Sequence, residues 1–335
     1  MNTIPAPAAP AHDLPDHGLP EWLEPLPHGI YAIDTGFERP RFDAAYLIVQ
    51  QGRAAFVDAG TAFALPRLLG ALAALGLARD AVDWVIPTHV HLDHAGGVGQ
   101  LMRELPRALA LVHPRGVRHI VNPQMIWEAA SAVYGADVVA RSYGELLPVP
   151  AERVQATADG MVVRLAGRAL EFADTPGHAK HHHCVWDEAS RGWFTGDTFG
   201  LSYREFDTAR GPWIAPTAVP SQFQPDVLAA SIRRLLARGP ECMYLTHYGR
   251  VGSVPRLGAQ LLDLLARLVA LGRREQHHPE GAAPRHQALK RGQLDLFDAS
   301  LTAHGCTLGR ARLAELMAID LELNAQGMAI WLDGR

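Results

Sequence analysis

Four side chains able to ligate a metal fall within the six residues His89-Val90-His91-Leu92-Asp93-His94. Imidazole and carboxylate suit Zn²⁺ and other borderline first-row cations, and two ions held side by side need about this many ligands. Single residues of the same kind recur downstream, each at a turn after an apolar, strand-like run: His178 in Asp-Thr-Pro-Gly-His, Asp197 in Phe-Thr-Gly-Asp-Thr, and His247 in Tyr-Leu-Thr-His-Tyr. A ligand placed where a strand turns at Gly or Pro points into a cleft at the edge of a sheet. Seven residues on four loops are therefore expected to converge on one metal centre.

The His-x-His-x-Asp-His run, followed in order by His178, Asp197 and His247, resembles the metallo-β-lactamase fold superfamily over roughly residues 28 to 250. Asp58, at the end of the strand-like Ala54-Ala-Phe-Val, matches that family's early aspartate, which supports the centre from outside the ligand set. The resemblance puts His89, His91 and His178 on one metal, Asp93, His94 and His247 on the other, and Asp197 between them. It implies two Zn²⁺ per chain, with Mn or Fe as substitutes, and a metal-bridging hydroxide that attacks the bond to be cleaved. Asp93 is the expected catalytic proton acceptor, because a ligating carboxylate keeps a free oxygen. His94 and Asp197 stand where one β-lactamase class has Arg and Cys, and another class lacks the bridging Asp, which disfavours β-lactam hydrolysis. Flavodiiron proteins carry Glu at the position of His91. The full set looks most like glyoxalase II and the acyl-homoserine lactonases, which implies hydrolysis of an ester, thioester or lactone of a small molecule.

Other features bear on the substrate. The span between His94 and His178 contains a helical stretch, Asn122 to Gly144, with Trp127, Tyr134 and Tyr143 expected to be exposed as a lid or pocket wall. The run His181-His182-His183 should alternate along a strand, sending His181 and His183 to one face and His182 to the other, so that at least one reaches the metals as an outer partner. Tyr203, with Arg204 and Arg210, follows Asp197 in a loop where it could contact substrate. Two alternatives stand beside hydrolysis. One is a mononuclear non-haem iron enzyme similar to the persulfide dioxygenases, with His89, His178 and Asp197 as its facial triad, although the Gly-Cys-Gly-Arg-type segment expected after that aspartate is missing. The other is a non-catalytic sensor of a small ligand.

The chain of 335 residues is 48% apolar and 20% charged, ordinary for a globular enzyme with a large core. A net charge of −4 without a basic run argues against a nucleic-acid surface. Cys184, Cys242 and Cys306 are odd in number and far apart, which does not suggest a disulfide framework; Cys184 and Cys242 lie in apolar runs as small buried hydrophobes. No stretch is long and apolar enough for a membrane span, and residues 1–20, rich in Pro and Ala, read as a disordered extension rather than a signal, so a cytoplasmic location and no membrane partner are expected.

The elements that must carry the ligands read as two sets. Strand-like segments near 29–34, 44–49, 54–58 and 84–87 surround an Ala/Leu-rich helix at 65–77. A second set lies near 162–165, 170–173, 183–186, 192–194 and 243–245, with a helix at 225–237 that opens on Pro225. Two sheets covered on their outer faces by helices give an α/β fold, the four-layer αββα metallo-β-lactamase sandwich that the resemblance implies. Residues 21–254 form the expected catalytic domain, with a helical insertion at about 115–146. Residues 255–335 read as a C-terminal helical extension, with helices at 257–271, 287–303 and 308–325 and a charged break at 273–285, which could pack on the core, complete the pocket or form a homodimer.

Overall fold

The computed structural model describes residues 18–334, so most of the N-terminal extension lies outside the described residues. Seven strands form the first sheet in chain order: β1 (Leu23–Leu26), β2 (Ile30–Asp34), β3 (Ala44–Gln50), β4 (Arg53–Val57), β5 (Val82–Ile86), β6 (Leu109–Val112) and β7 (Val154–Ala156). The first four run antiparallel and the last three join in parallel. Parallel neighbours need a crossover, and helices α1 (Leu65–Ala74), α2 (Leu92–Ala95), α3 (Val98–Glu104), α4 (Val117–Val121), α5 (Gln124–Tyr134) and α6 (Ala136–Tyr143) supply them.

The second sheet contains β8 (Val162–Leu165), β9 (Arg168–Asp174), β10 (His183–Asp187), β11 (Gly192–Gly196), β12 (Cys242–Leu245) and β13 (Gly249–Val251), in the order β13-β12-β11-β10-β9-β8. Its one parallel pair, β11 with β12, is bridged by α7 (Pro225–Ala237). Beyond it come α8 (Val254–Glu275), α9 (Ala282–His304), α10 (Arg310–Leu316) and α11 (Ala318–Leu332).

Alternation along the strands sorts the core into layers. On β3, Ala44, Tyr46 and Ile48 point between the sheets to meet Phe172, Val185 and Phe194, whereas Ala45 and Leu47 point outward to α1 and α3 through Leu68 and Leu101. The outer face of the second sheet, with Trp186 and Trp193, packs on α7, α8 and the helices that follow. The expected αββα sandwich with C-terminal helices is therefore the observed architecture.

Local readings differ at several points. Short strands of three or four residues (β1, β6, β7 and β13) carry too little pattern to be seen in sequence. The insertion holds three helices, α4, α5 and α6, the last two parted at Gly135, whose φ of 88° a helix cannot contain. The charged break is shorter than expected because Arg273 and Arg274 are good helix formers and extend α8 to Glu275. The 308–325 helix is divided at Met317, and α11 continues to Leu332.

Candidate metal centre

All seven sequence-predicted ligand positions lie just past the C-terminal ends of strands facing one cleft. The loop after β5 carries His89 and His91, and the short α2 presents Asp93 and His94 one residue apart. His178 follows β9, Asp197 follows β11 and His247 follows β12. Gly196 is required for the approach of Asp197. Its φ is 47°, and a Cβ there would stand 2.5 Å from Thr88 Oγ1 and 2.7 Å from His182 Nε2.

The side chains sort into groups of the size an ion needs. His89, His91 and His178 offer nitrogens within 4.8 Å of one another, and so do the donor atoms of Asp93, His94 and His247. His91 Nδ1 is 2.8 Å from His89 Nε2 and 3.1 Å from His178 Nε2. Tetrahedral ligands about 2.05 Å from zinc are separated by about 3.3 Å, so these spacings suit the edges of a coordination shell. Asp197 faces both groups with different oxygens. Its Oδ2 is 3.4 Å from His178 Nε2, while Oδ1 is 3.2 Å from His94 Nε2 and 3.7 Å from His247 Nε2.

Four of the imidazoles use their second nitrogen on a fixed partner, the arrangement that orients histidine ligands. His94 Nδ1 meets Asp58 Oδ2 at 2.9 Å, His178 Nδ1 meets Thr217 Oγ1 at 2.9 Å, His247 Nδ1 meets the Phe42 carbonyl at 3.1 Å, and His89 Nδ1 meets Thr88 Oγ1 at 3.3 Å. Asp58 is a hub. It also accepts from the Thr88 N–H at 2.7 Å and from Thr246 Oγ1 at 2.9 Å, tying both sheets to the ligand loop, and it does so from a left-handed backbone (φ 59°).

The electrostatics call for cations. Burial, joined by neighbouring rings, pushes His89 well below its ordinary value, His91 to about 3 and, despite Asp197, His178 to about 4, leaving neutral nitrogens with free lone pairs. Burial works to raise Asp93 and Asp197, but His94 and His247 outweigh it and hold both carboxylates ionised. Burial also works to lower His94 and His247; the surrounding carboxylates instead raise His94 well above its usual value and His247 to about 10. Positive charge is thus demanded in the Asp93-Asp197-Asp58 surroundings. His94 Nε2 and Asp197 Oδ1 are buried without a hydrogen-bond partner; although 3.2 Å apart, they are not aligned as a hydrogen bond. Two orphaned polar atoms at that separation fit neighbouring ligands of one metal ion.

The histidine run is arranged differently from simple alternation, because β10 begins only at His183 and the two preceding residues lie outside the strand. His182 stacks on His89 at 4.7 Å and its Nε2 accepts the Asp197 N–H at 3.3 Å, and His181 also faces the ligand loop, its Nδ1 accepting the Val90 N–H at 3.5 Å. His181 lies beside His91 with rings 5.6 Å apart. His183 turns away to Thr157 and the Pro87 carbonyl. Tyr203, expected near substrate, is instead fully buried with its hydroxyl donated to Asp320, while Arg204 and Arg210 are tied to Ser202 and Ala303. Trp127 and Tyr143 are half-buried rather than exposed, and Tyr143 packs 5.4 Å from Phe37; the side chain of Tyr134 lies outside the described residues. Sequence reading missed Thr217, Thr246, Phe42, Asp320 and Asn324. Only Thr88, adjoining the motif, carried a positional signal.

The model of the metallo-beta-lactamase superfamily matches residues 39–247, from the loop before β3 to the last ligand. This chain belongs to the metallo-beta-lactamase superfamily. An atrochrysone carboxyl ACP thioesterase of Aspergillus fumigatus is 31% identical over 168 residues, covering 50% of this chain and 38% of the fungal protein. A metallo-beta-lactamase family protein from Thermus thermophilus superposes with a TM-score of 0.64 at 22% identity, covering 91% of this chain and 93% of that one. An archaeal superfamily protein from Sulfolobus tokodaii gives 0.63 at 20% identity, covering 90% and 98%. These two structures share the superfamily fold over nearly the whole chain. The chain spans well under half the length of the curated thioesterase. Among the described residues, no helix is long and apolar enough to cross a membrane.

Proposed function

We propose that this chain is a dinuclear metal-dependent hydrolase that cleaves an ester, thioester or lactone of a small molecule. The observation that carries the reading is the division of Asp197 between the two ligand groups, one oxygen toward His178 and the other toward His94 and His247. The thioesterase name of the fungal relative supports acyl chemistry. Zinc, or manganese or iron in its place, would be held by His89, His91 and His178 on one side and Asp93, His94 and His247 on the other, and such ions activate water and polarise the carbonyl under attack.

The protein's own contribution is placement and proton handling. Asp93 is the more exposed carboxylate, at 24% of its side chain against 6% for Asp197, and its Oδ2 lies 3.4 Å from His247 Nε2. Its free oxygen is placed to take the proton of the attacking water and return it to the leaving group. Phe42 meets the His247 ring edge-on at 5.6 Å and adjoins Phe37, which packs on Tyr143. The half-buried Phe37 and Tyr143 give an apolar surface near the ligands for the acyl or aryl part of a substrate.

Elemental analysis of protein purified without added metal or chelator is the first test, followed by hydrolysis of an N-acetylcysteamine thioester, a phenyl ester and an acyl-homoserine lactone. About two zinc or manganese ions per chain with turnover of one of these is the expected result. About one iron per chain with oxygen consumption on a persulfide, or saturable binding without turnover, overturns the reading.

A further inference from the structure

We infer that Asp320 and Asn324 on the C-terminal helix α11 are positioning residues for the metal centre, clamping the loop after Asp197 so that its two ends hold His178 and His247. The inference rests on the proposed ligand roles of those histidines. It adds a dependence on a helix that supplies no ligand.

Asp320, Asn324 and Gly327 are spaced four and three residues apart, so they share one face of α11. All three meet the segment between Tyr203 and Val219. The Tyr203 hydroxyl donates to the Asp320 carboxylate, at 3.1 Å and 3.2 Å to its two oxygens. Asn324 Oδ1 accepts the Ala218 N–H at 2.6 Å. Gly327 permits the contact, since a Cβ there would stand 1.8 Å from the Ala218 carbonyl oxygen. Charge and shape on this face of the helix are thus fitted to a loop rather than to another helix.

Both ends of the clamped loop reach a ligand. Next to Ala218, Thr217 Oγ1 bonds His178 Nδ1 at 2.9 Å. At the other end, the Tyr203 ring stacks on Phe42 with centroids 5.2 Å apart, and the Phe42 carbonyl accepts from His247 Nδ1 at 3.1 Å. Ser202, adjoining Tyr203, donates its N–H to the His247 carbonyl. The two arms therefore end on different metals, His178 with His89 and His91, and His247 with Asp93 and His94.

Asn324 argues against packing as the sole purpose. Its Nδ2 is buried without a partner, a state that costs free energy which an apolar side chain of the same size would avoid. What the amide gives in return is one acceptor aimed at one backbone N–H. Tyr203 likewise spends its hydroxyl on a helix carboxylate, with its ring packed in a wall of Phe42, Phe206 and Trp213 and under the Arg39 guanidinium at 4.4 Å.

The test is zinc affinity of the metal-free full-length protein, measured by competition with a chromophoric chelator, alongside the melting temperature of the same metal-free samples. Asn324→Leu should weaken one of the two zinc sites about 10-fold, the scale at which partners outside the ligand set act on metal affinity. Asp320→Ala should weaken the other site by a similar factor. Asp320→Asn keeps an acceptor for the Tyr203 hydroxyl and should restore affinity to within about 3-fold of the unaltered protein. Tyr203→Phe removes one oxygen without altering the wall, and should reproduce Asp320→Ala without adding to it in the double variant. Lower melting temperatures with both zinc affinities unchanged would make the contacts merely structural and overturn the inference, and Tyr203→Phe decides it even where Asn324→Leu does not fold. Failure of the unaltered protein to bind two zinc ions would instead overturn the ligand assignment.

Discussion

The two sheets supply the candidate metal centre in contrasting ways. The first contributes four candidate ligands from one continuous loop and the short helix after it, so the spacing of His89, His91, Asp93 and His94 is fixed by local backbone geometry. The second contributes three single residues, His178, Asp197 and His247, from three separate strand ends, and their relative placement depends on groups remote in sequence. A contiguous motif carries its own backbone spacing and needs one outside support, Asp58 on Thr88 and His94. Dispersed ligands need external bracing, which here comes from Thr217, the Phe42 carbonyl and the loop above them.

The sharpest way to break this contrast is to remove the residue that joins the two halves. Asp197→Ala takes an oxygen from each ligand group, and activity should fall by more than the roughly 100-fold that outer partners carry, with both metals lost on elemental analysis. Retention of two metals and activity would contradict the bridging assignment. His91→Ala should lose metal and activity together while leaving the second ligand group in place. Asp58→Asn tests the bracing of the contiguous loop: it weakens the bonds to His94, Thr88 and Thr246, and metal affinity should drop about 10- to 100-fold. Leu268→Ala, in the fully buried stripe of α8, should lower stability by about 2–5 kcal/mol in denaturant unfolding while metal stoichiometry stays at the unaltered value.

The smallest effect is a pH dependence. Burial raises the Asp320 carboxyl from 3.8 to about 6, so the folded protein binds that proton more tightly than the unfolded chain does. Wild-type stability is therefore lost through this group as pH rises from about 4 to about 6. Asp320→Asn escapes the loss. Its stability relative to wild type should rise by at most about 3 kcal/mol across that window, remain level above it and vanish near pH 4, as followed by urea unfolding at each pH. A difference that is flat with pH would show that the carboxyl titrates normally.

The same contrast explains what was legible in the sequence. The ligand cluster could be read because its chemistry and its spacing are the same stretch of chain, and Asp58 because, at the end of a strand-like run, it matches the early aspartate of the family the motif resembles. The layers followed from the apolar, strand-like runs of β3 and β4, from the Ala/Leu-rich stretch of α1 and from Pro225 at the start of α7. Thr217 and Asn324 could not be read, since a threonine in a loop and an asparagine in a helix carry no periodic or chemical mark of what they touch across 39 and 106 positions. Tyr203 was legible as a residue of interest but not in its direction: sequence places it after Asp197, whereas its orientation is decided by α11. His181 and His182 escape strand alternation because they precede β10 rather than belong to it.

The clamp also has a place in time. A chain is made from its N-terminus, and Asp320 lies 320 − 247 = 73 residues after His247, so all seven ligand positions exist before the helix that braces their loop has been synthesised. A growing chain would then carry the whole ligand set with two of its outer supports still movable, and the centre would acquire its final rigidity only when α11 docks.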